Sequence, residues 1–183
     1  MAIQMEKKLT SKLILELSWL KISLDEIKIE NGIESTRIVL DHPGASCILA
    51  ITPEQKVLLV TQYRYATQEV LYEIPAGKLD AWGGDYYKTA IRELAEETPY
   101  TAKSMKLLSA FYTAPGFCNE FIHLYKAEGL EKNSTLELDM DEFVDVHYFS
   151  KHEIREMMQN GVIHDAKTII ALQYWLFEDH EVR

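Results

Sequence analysis

The chain has 183 residues, a formal net charge of −10 and two cysteines. This length fits one domain with a full hydrophobic core, and the acidic balance argues against nucleic-acid or anionic-membrane surfaces, which need clustered Lys and Arg. The N-terminus lacks an apolar signal core and no apolar run reaches the length of a membrane span, so we expect a cytoplasmic protein. Cys47 and Cys118 lack metal-ligand spacing, and we expect no disulfide.

The first part of the chain has the period-two alternation of apolar and polar residues that is typical of strands. It runs from Leu13 to Val39, with a turn signal at Glu30-Asn31-Gly32, and predicts antiparallel strands. More apolar strands are predicted in three following segments, SCILAIT, KVLLVTQYRY and LYEIP.

A glycine-bearing loop and a helix follow, in the segment from Gly77 to Tyr100. Asp85 is a suitable N-cap, Ala90, Ile91, Leu94 and Ala95 supply an apolar face, and Pro99 stops the helix.

This helix carries three glutamates on one turn. Glu93, Glu96 and Glu97 stand at positions i, i+3 and i+4, so their carboxylates share one patch, and Arg92 is four residues before Glu96. Such an acidic run is either a solvated helix face or a site for a divalent cation with hard oxygen ligands, such as Mg²⁺ or Mn²⁺.

The second half of the chain alternates strands with helices. Strands are predicted in KLLSAFYTAP, EFIHLYKAEGL and VDVHYFS, with an acidic stretch, LELDMDEF, before the last of them. Ser150 is positioned to cap a helix that begins near Lys151 and ends at Gly161, and a final amphipathic helix spans about residues 165–177. This order fits an α/β layered domain with a helix on each sheet face.

The segment from Gly77 to Tyr100 resembles the Nudix box. The matching residues are Gly77, Arg92, Glu93, Leu94, Glu96 and Glu97. Three departures stand out. There is one extra residue between Gly77 and Arg92, the first glutamate of the box is replaced by Gly83 or Gly84, and Pro99 replaces its closing glycine. In the family that first glutamate supports the loop, often through the arginine, and here Asp80 or Asp85 could compensate.

The resemblance extends over nearly the whole chain and narrows to the ADP-ribose pyrophosphatase branch of the Nudix hydrolases. It is carried by VTQYRYATQEVLYEIPAGKLD, SAFYTAPGFCNEFIHLYKAEGL and GVIHDAKTIIALQYW, and Pro115 falls where that branch typically has a proline. The implied fold is a Nudix α/β/α sandwich with mixed sheets. Residues 1–45 would form an N-terminal antiparallel β segment that takes part in a homodimer, and residues 46–183 the Nudix hydrolase domain.

The resemblance also implies roles for individual residues. The metal ligands would be the Ala76 carbonyl, Glu93 and Glu97, with Glu96 assisting and Glu142 completing the set or activating water. The substrate-binding residues would be Arg37 and Arg64 for the diphosphate, Glu73 for the nucleoside or its surroundings, and Pro115. Asp139 and Asp141 are alternatives to Glu142. Two structural alternatives remain open: Arg64 is simply an exposed charge at the end of a strand, and the acidic stretch is a solvated loop.

The implied activity is Mg²⁺-dependent hydrolysis, with Mn²⁺ as an alternative, of ADP-ribose or a related nucleoside diphosphate sugar to AMP and ribose 5-phosphate. The alternatives are a nucleotide-binding module with weak or no catalysis, and a dimeric scaffold with a relic box. We expect His123, His147 and His164 to be structural. Trp19 could stack on the base, but a core or dimer-interface role is favoured.

Overall fold

The computed structural model describes residues 4–133 and 144–178. Its N-terminal part is a three-stranded antiparallel sheet of β1 (Glu6–Glu16), β2 (Lys21–Ile29) and β3 (Glu34–Asp41). The predicted turn separates β2 from β3, and Gly32 has a φ of 90°, which a residue with a side chain rarely adopts. The turn between β1 and β2 is not indicated by the sequence, because residues 17–20 contain no glycine, proline, asparagine or aspartate.

Seven further strands form two sheets. They are β4 (Ala45–Ala50), β5 (Val57–Arg64), β6 (Glu69–Glu73), β7 (Ala76–Lys78), β8 (Ser104–Tyr112), β9 (Phe121–Glu128) and β10 (Asp145–Phe149). One sheet has the order β10-β5-β6, and the other has the order β7-β4-β9-β8. The pairing of β4 with β9 is parallel and that of β4 with β7 is antiparallel, so this second sheet is mixed.

The three helices begin at the residues that the sequence indicates. Asp85 accepts hydrogen bonds from the first turn of α1 (Tyr86–Glu97), and Asp165 caps α3 (Ala166–Phe177). Ser150 and Glu153 form a reciprocal capping box at the start of α2 (Lys151–Gln159).

The helices cover both faces of the sheets. Along β4, Cys47 and Leu49 pack into the core that includes Trp175 of α3, whereas Ile48 and Ala50 pack into the core that includes Leu94 of α1. Alternate residues of a strand point to opposite faces, so β4 is buried between two layers. The predicted α/β/α sandwich with mixed sheets is confirmed.

Backbone hydrogen bonds connect the N-terminal sheet to the rest of the fold. The Leu40 N–H donates to the Phe117 carbonyl at 2.7 Å, and the Asn119 N–H donates to the Leu40 carbonyl at 3.1 Å. The domain boundary between residues 45 and 46 stays a prediction. Cys47 and Cys118 are free thiols. Within the described ranges, no helix is long and apolar enough to cross a bilayer.

Candidate active site

A cleft of about 780 Å³ lies where α1, β7 and the start of α3 meet. Its lining includes five residues that the sequence singled out, Arg64, Ala76, Arg92, Glu93 and Glu96, and one that it did not, Lys167. The structure therefore brings Glu93, Glu96, the β7 backbone and the cations Arg64 and Lys167 to one concave surface, whereas Glu97 lies behind its lining.

The carboxylates of Glu93 and Glu97 are almost completely buried, with 6% and 5% of each residue exposed. The Ala76 N–H donates to Glu97 Oε2 at 2.9 Å, so this helix carboxylate and the backbone of Ala76 are adjacent. The same packing favours glycine at position 77, since an added Cβ would lie 1.9 Å from Glu93 Oε1 and would displace that carboxylate. The first glycine of the box thus makes room for a glutamate of its helix.

Arg92 holds the acidic face of α1 together. Its guanidinium lies 2.9 Å from Asp80, 2.7 Å from Glu93 and 2.5 Å from Glu96. Burial opposes its charge, but these carboxylates outweigh burial and raise the pKa of Arg92. Asp85 caps the helix, so Asp80 is the residue that contacts Arg92 in place of the missing box glutamate.

An ion cluster centred on the buried Glu73 borders the cleft, and its members Arg64, Asp165 and Lys167 line it. Glu73 is 2% exposed, binds Arg64 through two hydrogen bonds of 2.6 and 2.7 Å, and also accepts one from Lys167, which lies 3.0 Å from Asp165. Burial disfavours the charge of Glu73, but Arg64 and Lys167 overcome it and lower its pKa. Glu73 is committed to these cations and positions Arg64 in the cleft.

The remaining predicted residues lie elsewhere. Arg37 and Pro115 line a second groove of about 360 Å³, and Arg37 pairs with Glu6 of β1. Their roles in substrate binding stay predictions. Glu142, with its alternatives Asp139 and Asp141, lies outside the described residues.

Three other cleft residues are distant from α1 in sequence, and two of them, Lys167 and His42, carried no local sequence signal. Lys167 is on the first turn of α3, and His42 and Trp19 approach from the N-terminal sheet. Burial lowers the pKa of His42, although Glu120, 3.7 Å away, opposes the shift. Only the folded chain brings these side chains to α1, because they are far from it in sequence.

The donor set of the cleft suits a hard divalent cation. Carboxylates such as those of Glu93 and Glu96, together with backbone carbonyls and water, are the oxygen ligands that Mg²⁺ takes. In the described ranges no three acidic, histidine or cysteine side chains are close enough to form a metal site alone. A complete site would therefore need the carbonyl, water or substrate oxygens in addition to the helix glutamates.

Comparison with known proteins shows the family. The NUDIX domain model matches residues 40–172. The chain is 42% identical to the methanol dehydrogenase activator of Bacillus methanolicus and 39% identical to the ADP-ribose pyrophosphatase of Bacillus subtilis, in each case over 92% of this chain and 91% of the relative. It is 34% identical to the GDP-mannose pyrophosphatase of Cronobacter sakazakii, over 75% of this chain and 76% of that protein.

A solved structure supports the fold independently of close sequence similarity. The crystal structure of an ADP compounds hydrolase superposes with a TM-score of 0.83, covers 100% of both chains and is 19% identical. That likeness shows the fold alone, whereas the family match and the relatives show that the chain belongs to the NUDIX family, in the branch of the ADP-ribose pyrophosphatases.

Proposed function

We propose that the protein hydrolyses the diphosphate bond of ADP-ribose and releases AMP and ribose 5-phosphate. At the coarser level the chain is a Nudix pyrophosphatase that acts on nucleoside diphosphate sugars. The choice of ADP-ribose is supported by 39% identity to an ADP-ribose pyrophosphatase along 92% of the chain.

The observation that carries this proposal is that the carboxylates of Glu93 and Glu96 and the cations of Arg64 and Lys167 line one cleft. A diphosphate is an anion, so the carboxylates of Glu93 and Glu96 repel it unless a cation lies between them. Arg64 and Lys167 line the same cleft and favour the anion directly. A cleft with both features suits a substrate that enters with a divalent metal ion.

We propose Mg²⁺ as that metal, with Mn²⁺ as the alternative. Glu93, Glu97 and the Ala76 carbonyl would hold it, Glu96 would assist, and Glu142 would complete the set. When bound, such a cation polarises the phosphate oxygens and makes the attacking water more acidic. The fit rests on the burial of Glu93 and Glu97 and on the 2.9 Å contact that joins Glu97 to Ala76.

Other residues of the chain would orient the glutamates, offset charge on the diphosphate and accept a proton. Arg92 keeps Glu93 and Glu96 oriented, and Glu73 fixes Arg64 so that its cation can offset charge that develops on the diphosphate. A carboxylate of the acidic stretch, Glu142 in the leading assignment, would accept the proton of the attacking water.

A homodimer and a cytoplasmic location complete the proposal. All eleven residues of β1 are exposed, including the apolar Leu13, Ile14 and Leu15. Exposed apolar side chains on an edge strand are typical of a surface that pairs with another chain, and we assign a second copy as that partner. Light scattering after gel filtration should give twice the mass of 21.1 kDa. A monomer at micromolar concentration would contradict the assignment.

A second candidate function comes from the relative in Bacillus methanolicus, which is named an activator of methanol dehydrogenase. The observation that favours it is the 42% identity over 92% of this chain. The test adds the purified protein to a methanol dehydrogenase and compares the rates. A higher dehydrogenase rate supports this role, and an unchanged rate removes it.

The test of the main proposal is a substrate panel with product identification. ADP-ribose, GDP-mannose and other nucleoside diphosphate sugars are incubated with Mg²⁺ or Mn²⁺, and products are separated by chromatography. We expect AMP and ribose 5-phosphate from ADP-ribose at the highest kcat/KM. Faster release of GMP from GDP-mannose would move the assignment to that substrate. Binding of ADP-ribose without any product would favour the nucleotide-binding module.

A further inference from the structure

Two tryptophan–lysine contacts join the start of β2 and the residues before it to β7 and to the box loop, residues 79–84. Lys78 Nζ lies 4.7 Å from the ring centroid of Trp19, and Lys21 Nζ lies 5.7 Å from that of Trp82. Trp19 lies in the β1–β2 connection and Lys21 is the first residue of β2, whereas Lys78 ends β7 and Trp82 lies in the loop that follows it. Each side therefore supplies one ring and one cation.

The two contacts differ in their relation to the cleft. Trp19 and Lys78 line it, but Lys21 and Trp82 do not. Trp82 is 42% exposed and so is not a core residue. It belongs to the loop that carries one residue more than the box pattern.

We propose that the two contacts form a reciprocal clamp that fixes the mouth of the cleft, with Lys21 and Trp82 as positioning residues for the cleft-lining pair Trp19 and Lys78. The clamp is a property of the folded chain alone. Its effect on catalysis rests on the proposed function.

The clamp follows from the charges and from the anchors of the loop. A cation within about 6 Å of a tryptophan ring is attracted by its face, and the indole ring gives the strongest such contact. Lys21 is a charged surface lysine, and its hydrogen bond and ion pair with Glu16, 2.8 Å away, raise its pKa further and orient its side chain. The loop itself is anchored by buried Leu79 and by the pair of Asp80 with Arg92. Trp82 lies beyond both anchors, and Lys21 supplies a third.

The first test measures the clamp without substrate or metal. Amide hydrogen exchange of residues 79–84 is compared between the wild type and Lys21→Met, which keeps the length of the side chain and removes its charge. We expect exchange to become about two- to fivefold faster, as for an exposed cation–π contact, and Lys21→Arg to restore the protection. The matched control is Lys28→Met, which removes another exposed β2 lysine and its 3.8 Å pair with Glu34.

Two further variants separate the ring contact from other effects. Glu16→Gln removes the ion pair of Lys21 but leaves its charge, so the exchange rate of the loop should stay close to that of the wild type. Trp82→Leu removes the ring and should match Lys21→Met. Unchanged exchange in both Lys21→Met and Trp82→Leu would overturn the clamp, as would an equal increase in the Lys28→Met control.

The second test measures the effect on catalysis. Trp82→Leu should raise KM for the best substrate about two- to fivefold and leave kcat unchanged, because it displaces the mouth of the cleft and not the reacting groups. An unchanged KM, or a fall in kcat at constant KM, would overturn the positioning role. If the wild type hydrolyses no substrate, the proposed function fails, and the exchange experiment still decides whether the clamp exists.

Discussion

The contact between Gly77 and Glu93 gives a prediction that separates catalysis from stability. In Gly77→Ala the new Cβ would lie 1.9 Å from Glu93 Oε1, whereas ordinary contact begins at 3.4 Å. The carboxylate must therefore move by about 1.5 Å, because the alanine methyl group cannot. Gly77 does not have a positive φ, so its backbone accepts alanine without strain.

A displacement of this size should lower kcat strongly but leave the protein folded. Misplacement of a reacting group by about 1 Å can lower a rate about 100-fold, so we expect kcat to fall at least that far. Loss of the Glu93 contact with Arg92 should lower the free energy of unfolding by about 1–3 kcal/mol. Domains typically have about 5–15 kcal/mol, so the variant should remain folded.

The assay combines steady-state kinetics on the best substrate with urea denaturation. The control is Gly161→Ala, where φ is 64° and no atom lies within 4 Å of the added Cβ. That change should cost about 1 kcal/mol or more in stability through backbone strain alone, with kcat unchanged. The reasoning is refuted if Gly77→Ala retains the kcat of the wild type, or if Gly161→Ala lowers kcat equally.

Two further predictions concern the charged groups of the cleft. Asp80 pairs with Arg92, and the Asp80 side chain is 76% exposed, so Asp80→Asn should lower the free energy of unfolding in urea by at most about 1 kcal/mol. The same substitution should lower kcat about tenfold, as for groups that orient metal ligands. An unchanged kcat would contradict this prediction. Arg64 lowers the pKa of Glu73. Glu73 therefore stabilises the fold fully above pH 4.5, the ordinary pKa of a glutamate, and this stabilisation is lost as the pH falls through the pKa of Glu73 in the folded state. Denaturation between about pH 5 and 3 should show a steeper loss in the wild type than in Glu73→Gln, and equal slopes would contradict it.

The starts of the helices were predicted well because they depend on residues that are neighbours in the sequence. The N-cap of α1 and the capping box of α2 each depend on a few neighbouring residues, and Asp85, Ser150 and Glu153 occupy the indicated positions. The strand β7 was not predicted because its three residues form only part of a glycine-bearing loop. Its pairing with β4, distant in sequence, makes it a strand.

The candidate site could be predicted only in part. The spacing of Glu93 and Glu97 indicated their shared face, but not that both are buried. Lys167 could not be found, since its contact with Glu73 spans 94 residues. Glu73 was expected near the nucleoside, whereas its described contacts are with Arg64 and Lys167, because burial of a carboxylate requires paired cations.

The most direct test of the central claim is AMP release from ADP-ribose with Mg²⁺, in the wild type and in Glu97→Gln. This substitution keeps the size of the side chain and removes the charge of a proposed ligand. A matched control is Glu156→Gln, which changes a glutamate on α2 whose side chain is 61% exposed. We predict AMP from the wild type and from the control, and a loss of at least about 100-fold in Glu97→Gln. Equal AMP release by Glu97→Gln and the wild type, or no AMP from the wild type with either Mg²⁺ or Mn²⁺, would contradict the account.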